Sequence, residues 1–325
     1  MYKELLFKFT EHLTILNRSP GTIKSYLMYA DLFLQSTDAK DVKQITTTMI
    51  EKYIAGLYDY KSDENKPYSI GTISLKIRSI KRFFEFLEQA NIIFIDPAEF
   101  ITEPKKQPYK IKPTLTLKQV RNMLDQPNLG TLTGIRDRTI LEVFYSTGIR
   151  LGELCNLTIY DADLMGGVLR INKGKGYKDR VVPMGRHAIK FLREYISKVR
   201  PKFTKKNRTS RHLFVNQMGN PLSRQVTAIM IRTCRKEAKI KKQVTAHTFR
   251  HTFATVLVKN GADITAVQKM MGHTDIKTTQ GYIRSLGIDI KKEHKKTHPR
   301  ERDRENIKAC KPKLERLKGH YERSI

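Results

Sequence analysis

The sequence has no long apolar run and few cysteines. None of its 325 residues belongs to an uninterrupted apolar stretch near the roughly 18 residues that a membrane span needs. Its first residues are charged and mixed, without the basic head and apolar middle of a secretion signal. Cys155, Cys234 and Cys310 lie far apart and form no Cys-x-x-Cys pair, which supports neither a disulfide framework nor a cysteine zinc site. We therefore expect a cytoplasmic protein with reduced thiols.

Acidic residues are scarce relative to basic ones. The chain has 62 lysines and arginines against 32 aspartates and glutamates, which gives a formal net charge of +30. Such a charge repels itself in the compact state and is usually kept for a polyanionic partner, with nucleic acid as the leading candidate. A basic ribosome-associated protein, or one that is merely soluble, is the alternative. The basic residues are spread along the chain, which indicates a protein that encloses its partner.

Apolar residues over positions 1–101 recur at intervals of three and four, which predicts helices rather than strands. In the helix predicted after Ser69, an apolar stripe runs through Ile73, Ile77 and Ile80, while basic residues occupy mostly other faces. We predict that this helix faces DNA; a solvated basic face on an ordinary bundle helix is the alternative. The candidate DNA-binding residues are Lys24, Lys76, Arg78, Lys81 and Arg82, together with Lys105 and Lys106 of the segment that follows.

That following segment, residues 102–113, has the composition of a linker. It holds three prolines and four lysines, and Ile111 is its one aliphatic residue. Proline without apolar periodicity favours an extended chain, and the lysines can lie along phosphates. We therefore predict a helical domain over 1–101, a basic linker, a second domain over 114–300 and a basic tail over 301–325.

The second domain reads as helices interrupted by two strands. Helices are predicted over Leu117–Leu124 and Gly134–Tyr145, and strands over Gly167–Ile171 and Asp179–Pro183. A glycine-rich, cationic turn joins the strands. The predicted fold class is mainly α with a small antiparallel β-sheet.

Five short segments of this domain carry residues suited to phosphate chemistry. Arg150 stands at the head of a helix, where Glu153 one turn later can brace its guanidinium. His247 and His251 are spaced like zinc ligands on a helix, but Thr248 stands where the metalloprotease motif needs glutamate. We assign His251 to helix support. The candidate catalytic residues are Arg150, Lys175, His247, Arg250, His273 and Tyr282.

Taken singly, these residues have ordinary explanations: a surface salt bridge at Arg150, an exposed lysine at Lys175, a core or interface aromatic at Tyr282. In their order and separations, however, they resemble the tyrosine recombinases, the phage-integrase family, and within it the Xer-type subgroup. The resemblance covers about residues 1–300. It implies an N-terminal SAM-like helical core-DNA-binding domain and an α+β catalytic domain, which form a C-shaped clamp on DNA.

The resemblance also implies a reaction. Tyr282 attacks a DNA phosphodiester, forms a 3′-phosphotyrosyl bond and releases a 5′-hydroxyl. Arg150 and Arg250 neutralise the charge that develops on the phosphate oxygens, and His273 is a further donor.

The remaining roles concern protons and the absence of cofactors. His247 is the candidate proton acceptor, Lys175 the candidate general acid, and Glu153 supports Arg150. The sequence holds no convincing carboxylate set for two metal ions and no nucleotide-binding loop. We expect no cofactor, no metal ion and no ATP.

As partners, the resemblance implies a double-stranded recombination site and a tetramer on two duplexes, either of this chain alone or with a related recombinase. Strands would be exchanged through a Holliday junction in the nucleoid, with a helix over 283–296 docking on a neighbouring protomer. The alternatives are a type IB topoisomerase, which uses similar chemistry on one duplex, and a DNA-binding relic without catalysis.

Overall fold

The computed structural model describes residues 2–62, 65–105, 114–172 and 179–272. The chain divides into two compact units, Met1–Lys110 and Ile111–Ile325. The predicted fold class is confirmed, since helices dominate the described residues and a single small antiparallel sheet accompanies them there. No helix in these ranges is long and apolar enough to cross a membrane.

The named secondary-structure elements of the first unit are all helices within its described ranges. Ser19 and Ser69 each cap a helix by accepting a hydrogen bond from the backbone N–H three residues later. Its core combines aliphatic side chains with five phenylalanines, of which Phe9 packs edge-to-face on Phe83 at 5.3 Å between ring centres. Its helices are α1 (Tyr2–Ile15), α2 (Pro20–Gln35), α3 (Thr47–Asp59) and α4 (Ile70–Gln89).

Lys76 of α4 differs from one expectation. We expected it among the basic residues that face DNA, away from the apolar stripe, but the residue is only 5% exposed. Its Nζ lies 4.4 Å from the ring centre of Tyr68 and 5.3 Å from that of Tyr29, so the ammonium is held by cation–π contacts. Burial lowers the pKa of Lys76. Spacing along α4 could not reveal this, because the two tyrosines come from outside the helix.

The second unit surrounds a three-stranded sheet of order β1-β2-β3, with β1 at Ala162–Asp163, β2 at Val168–Ile171 and β3 at Arg180–Pro183. Both strand pairs are antiparallel, and Ile171 at the end of β2 pairs with Arg180 at the start of β3. Leu169 and Val182 face the core, as the alternation of a half-buried sheet requires. The two predicted strands are thus observed, one residue shorter at their first ends.

Helices pack around the sheet and hold the candidate site. The predicted helix at Leu117–Leu124 is observed as α5 with those bounds, and the next extends slightly further than predicted. Phe144 of α6 stacks on Phe249 of α11, the helix that carries His247 and Arg250. The helices are α5 (Leu117–Leu124), α6 (Leu132–Thr147), α7 (Leu151–Asn156), α8 (Arg186–Glu194), α9 (Arg200–Phe203), α10 (Arg224–Glu237), α11 (Ala246–Lys259) and α12 (Ile264–Met271).

Candidate active site

A sharp turn between α6 and α7 places Arg150. Gly148 ends α6 in the left-handed conformation with φ of 60°. A Cβ at this position would lie 2.4 Å from Cδ1 of Phe253, so glycine is required both by conformation and by space. The chain then enters α7 with Arg150 as its N-cap residue, and the Arg150 backbone N–H donates to Glu153 Oε2 at 2.8 Å.

Glu153 holds two guanidinium groups. Arg150 Nη1 donates to its Oε1 at 2.7 Å, while Arg180 donates from Nη1 to Oε1 at 3.0 Å and from Nη2 to Oε2 at 2.7 Å. The carboxylate side chain is 8% exposed. Burial favours a higher pKa for Glu153, but the hydrogen bonds and charges of Arg180 and Arg150 outweigh it and lower the pKa to about 2. Glu153 is therefore a buried anion that orients Arg150.

The C-terminal end of α12 binds three arginines through its backbone. The last carbonyls of a helix have no partner within the helix and carry its negative dipole end, so they are good acceptors for guanidinium groups. Three consecutive carbonyls are used here: Arg180 Nε donates to Met270 O at 2.9 Å, Arg250 Nη2 donates to Met271 O, and Arg150 Nη2 donates to Gly272 O at 3.0 Å. One helix end thus gathers three cations.

Arg250 and His247 lie one turn apart on α11. Thr245 caps this helix by accepting from the backbone N–H of Thr248. Arg250 is 2% exposed, and its Nη1 donates to Gly148 O at 2.7 Å, which ties α11 to the turn before Arg150. His247 is exposed in the first turn of the helix, with its ring 5.4 Å from that of the buried His251.

One cleft of about 530 Å³ lies between α7, α10 and α11 and is lined by Arg150, His247 and Arg250, among others. Every ionisable residue lining it is basic, and in the described part of the chain no carboxylate faces it. Among all the residues that the structure describes, no group of three or more histidine, cysteine, aspartate or glutamate side chains could bind a metal ion. The cleft can therefore take an anion, with guanidinium groups as forked donors. Its ionisable residues are Arg150, Arg224, Arg232, His247 and Arg250.

The structure brings together some of the predicted catalytic residues. Arg150, His247 and Arg250 share the cleft, and Glu153 contacts Arg150 as expected. Lys175, His273 and Tyr282 lie outside the described residues, as do Lys106, the segment 283–296 and the tail 301–325.

Sequence reasoning missed three arginines. Arg224 and Arg232 were not singled out, although they recur with Ala228 at a spacing of four on one face of α10. The sequence places Arg180 in a basic run and in a strand but assigns it no role at the site, because its partners Glu153 and Met270 are distant in sequence.

The other candidate DNA-binding residues lie in the first unit. Lys24 and Lys105 are exposed. The basic residues of α4 have partners within the unit. Arg78 pairs with Glu103, Arg82 pairs with Glu85, and Lys81 Nζ donates to the carbonyls of Glu99 and Ile101.

A helical, strongly basic chain with four arginines and a histidine in a cleft without carboxylates among its described lining residues has the fold and the site of an anion-binding protein. Comparison with known proteins gives its family. Residues 113–287 match the phage integrase family, and residues 5–95 match the phage integrase N-terminal SAM-like domain. The chain belongs to the phage integrase family and is a tyrosine-type site-specific DNA recombinase.

Similar proteins support the Xer-type resemblance. Tyrosine recombinase XerD of Staphylococcus saprophyticus is 37% identical over 285 residues, which cover 87% of this chain and 94% of that protein. The crystal structure of XerA recombinase matches with a TM-score of 0.50 and 30% sequence identity. The match covers 92% of this chain and 99% of that one. XerH bound to palindromic difH substrate in a post-cleavage complex has a TM-score of 0.66 at 22% identity, covering 88% and 81% of the two chains, and shows the shared fold.

Proposed function

We propose that this recombinase cuts and rejoins DNA through a 3′-phosphotyrosyl intermediate at Tyr282, with Arg150, Arg250 and His247 acting on the same phosphate. The observation that supports this most directly is the shared cleft, where these three side chains meet without a carboxylate among the described lining residues. The rest of the proposal assigns a task to each residue.

The two arginines stabilise the charge on the phosphate. A phosphodiester carries one negative charge and gains more on its non-bridging oxygens as the pentavalent state forms, so donors fixed in advance lower the barrier. Arg250 is held by the carbonyls of Gly148 and Met271, and Arg150 by Glu153 and the carbonyl of Gly272. Both guanidinium groups are thus oriented before a phosphate enters.

The proton steps complete the reaction. The Tyr282 Oη forms a bond to phosphorus while the bond from phosphorus to the 5′ oxygen breaks. His247 takes the tyrosine proton, Lys175 gives a proton to the leaving 5′ oxygen, and His273 donates a further hydrogen bond to the phosphate. The exposed place of His247 in the first turn of α11 leaves it open to a tyrosine that approaches the cleft. No step uses ATP, because the phosphotyrosyl bond keeps the energy of the cut strand, and none uses a metal ion, because the arginines neutralise the phosphate.

The partners we propose are two DNA duplexes and further copies of a recombinase. XerH in the post-cleavage structure is bound to its difH substrate. By analogy, this chain acts at a double-stranded site, as a tetramer of itself or with a related recombinase, through a Holliday junction in the nucleoid. We further propose the domain limits 1–101, 102–113, 114–300 and 301–325, with Lys24, Arg78, Lys81, Arg82, Lys105 and Lys106 contacting DNA.

The experiment is to trap and sequence the DNA that stays attached to the protein. Nicked duplexes made from the recovered site are then incubated with the native chain, with Tyr282→Phe and with Tyr160→Phe, the last changing a tyrosine that is 69% exposed. We expect protein joined to the 3′ end with the native chain and with Tyr160→Phe, in the presence of a chelator, and none with Tyr282→Phe. Covalent complex in Tyr282→Phe, or cleavage that a chelator abolishes, contradicts the proposal.

A second readout separates recombination from relaxation of a single duplex. With two labelled duplexes carrying the recovered site, the native chain should yield four-way junctions that contain both labels. Covalent complexes without any such junction would instead indicate a topoisomerase-like activity.

A further inference from the structure

Arg180 has no task in the reaction proposed above, yet it contacts both Glu153 and the end of α12. It lies at the start of β3, and its side chain is 10% exposed. Two of its nitrogens bind the two oxygens of Glu153, and its Nε donates to the carbonyl of Met270. A forked, bidentate pair of this kind fixes both partners in orientation.

The first consequence concerns the charge of Arg150. Glu153 accepts hydrogen bonds from both Arg150 and Arg180, so three charged groups share a net charge of one positive unit. Without Arg180, the carboxylate would be matched by Arg150 alone, and the pair would be neutral. A neutral pair attracts a phosphate far less than a cation does.

The second consequence concerns the chain that follows α12. Gly272 adopts φ of +61°, and a Cβ there would lie 3.0 Å from Cδ and from Nη1 of Arg180. Arg180 therefore packs directly on Gly272, and its Nε also donates a hydrogen bond to the carbonyl of Met270. This contact therefore holds the last turn of α12 and Gly272 in place.

We propose that Arg180 is a positioning residue for strand cleavage: it takes up the charge of Glu153, so that Arg150 keeps its positive charge and orientation for the phosphate, and it anchors the end of α12. This rests on the proposed function. Arg180 itself does not touch the DNA.

The test uses single-turnover formation of the covalent complex on the nicked site, with duplex affinity and thermal unfolding measured on the same samples. Arg180→Met removes both the positive charge and the bidentate hydrogen bonds to Glu153, whereas Arg180→Lys keeps only the charge. The double variant Arg180→Met/Glu153→Gln removes the carboxylate as well, which restores the net positive charge beside Arg150. Arg138→Met is the matched control, because Arg138 also bridges two carboxylates, those of Asp125 and Glu142, but lies over Phe191 and away from the cleft lining.

We expect Arg180→Met to slow cleavage by about 100-fold, as a small misplacement of a catalytic group does, while the duplex dissociation constant changes by less than about threefold. The double variant should be about tenfold faster than Arg180→Met, although it loses more native contacts. Arg180→Lys should fall between the native chain and Arg180→Met. Arg138→Met should lower the unfolding temperature and leave the cleavage rate within about threefold.

A cleavage rate near that of the native chain in Arg180→Met overturns the inference, and so does a double variant that is no faster than Arg180→Met. If Arg180→Met does not fold, a native-like cleavage rate in folded Arg180→Lys also overturns the inference. Absence of covalent complex in the native chain would instead refute the proposed function, so the two failures are distinguishable.

Discussion

The pKa of Glu153 yields a stability prediction that can be worked out in advance. The carboxylate has a pKa of about 2 in the folded chain and an ordinary value of 4.5 in the unfolded chain. Because the folded-state pKa is the lower one, the unfolded chain binds the proton more tightly. The stabilisation is therefore complete above pH 4.5 and is lost as the pH falls towards 2.

The size of the effect follows from the two pKa values. The whole difference corresponds to about 3 kcal/mol of folding free energy. At pH 3.5 the unfolded carboxyl is mostly protonated and the folded one mostly ionised, so about 1.4 kcal/mol of this is lost relative to pH 7. A folded-state pKa one unit higher would change that figure by only about 0.1 kcal/mol, because it would still lie below pH 3.5.

The perturbation is Glu153→Gln, since glutamine does not titrate. Urea unfolding followed by far-UV circular dichroism at pH 7 and pH 3.5 should show the native chain losing about 1.4 kcal/mol more than the variant between the two conditions. Leu169→Ala serves as the control. It removes a buried side chain of β2, should cost about 2–5 kcal/mol at both pH values, and identifies the transition that belongs to the second unit.

A free-energy gap between the native chain and Glu153→Gln that stays constant from pH 7 to pH 3.5 would refute the reasoning. It would mean that Arg150 and Arg180 do not lower the pKa of the carboxylate they surround.

Two other substitutions test the description of the two units. Gly148→Ala should lower the free energy of unfolding in urea by about 2–4 kcal/mol, because the left-handed conformation and the overlap with Phe253 both oppose a Cβ. The control Gly56→Ala lies in open space within α3 and should raise that free energy by about 0.5–1 kcal/mol. Equal effects at the two sites would contradict the turn geometry. Lys76→Met should leave duplex affinity and its salt dependence unchanged, because the ammonium is buried between tyrosine rings; a log–log salt slope reduced by about 0.9 would show instead that Lys76 contacts a phosphate.

Local patterns were sufficient for part of the fold and the site. The spacing of apolar residues predicted α5 with its observed bounds, because an amphipathic helix is encoded within a few turns. Glu153 could be assigned to Arg150 for the same reason, since the two residues lie one turn apart on α7.

Contacts between distant segments could not be predicted in this way. Lys76 is buried because Tyr29 and Tyr68 approach it from other parts of the chain. Arg180 finds Glu153 only when β3 is placed beside α7, and Met270 offers a backbone carbonyl, which leaves no mark in the side-chain sequence. Backbone acceptors and packing across the unit are the physical reasons for both omissions.

The end of α12 also has a consequence for how the recombinase meets its substrate. The repulsion among the three arginines is overcome during folding, when their guanidinium groups bind the carbonyls at the end of α12. A phosphate that arrives afterwards displaces water from groups already in place, so little reorganisation remains for the chemical step. A free enzyme and a DNA-bound enzyme should consequently differ little in the conformation of this corner.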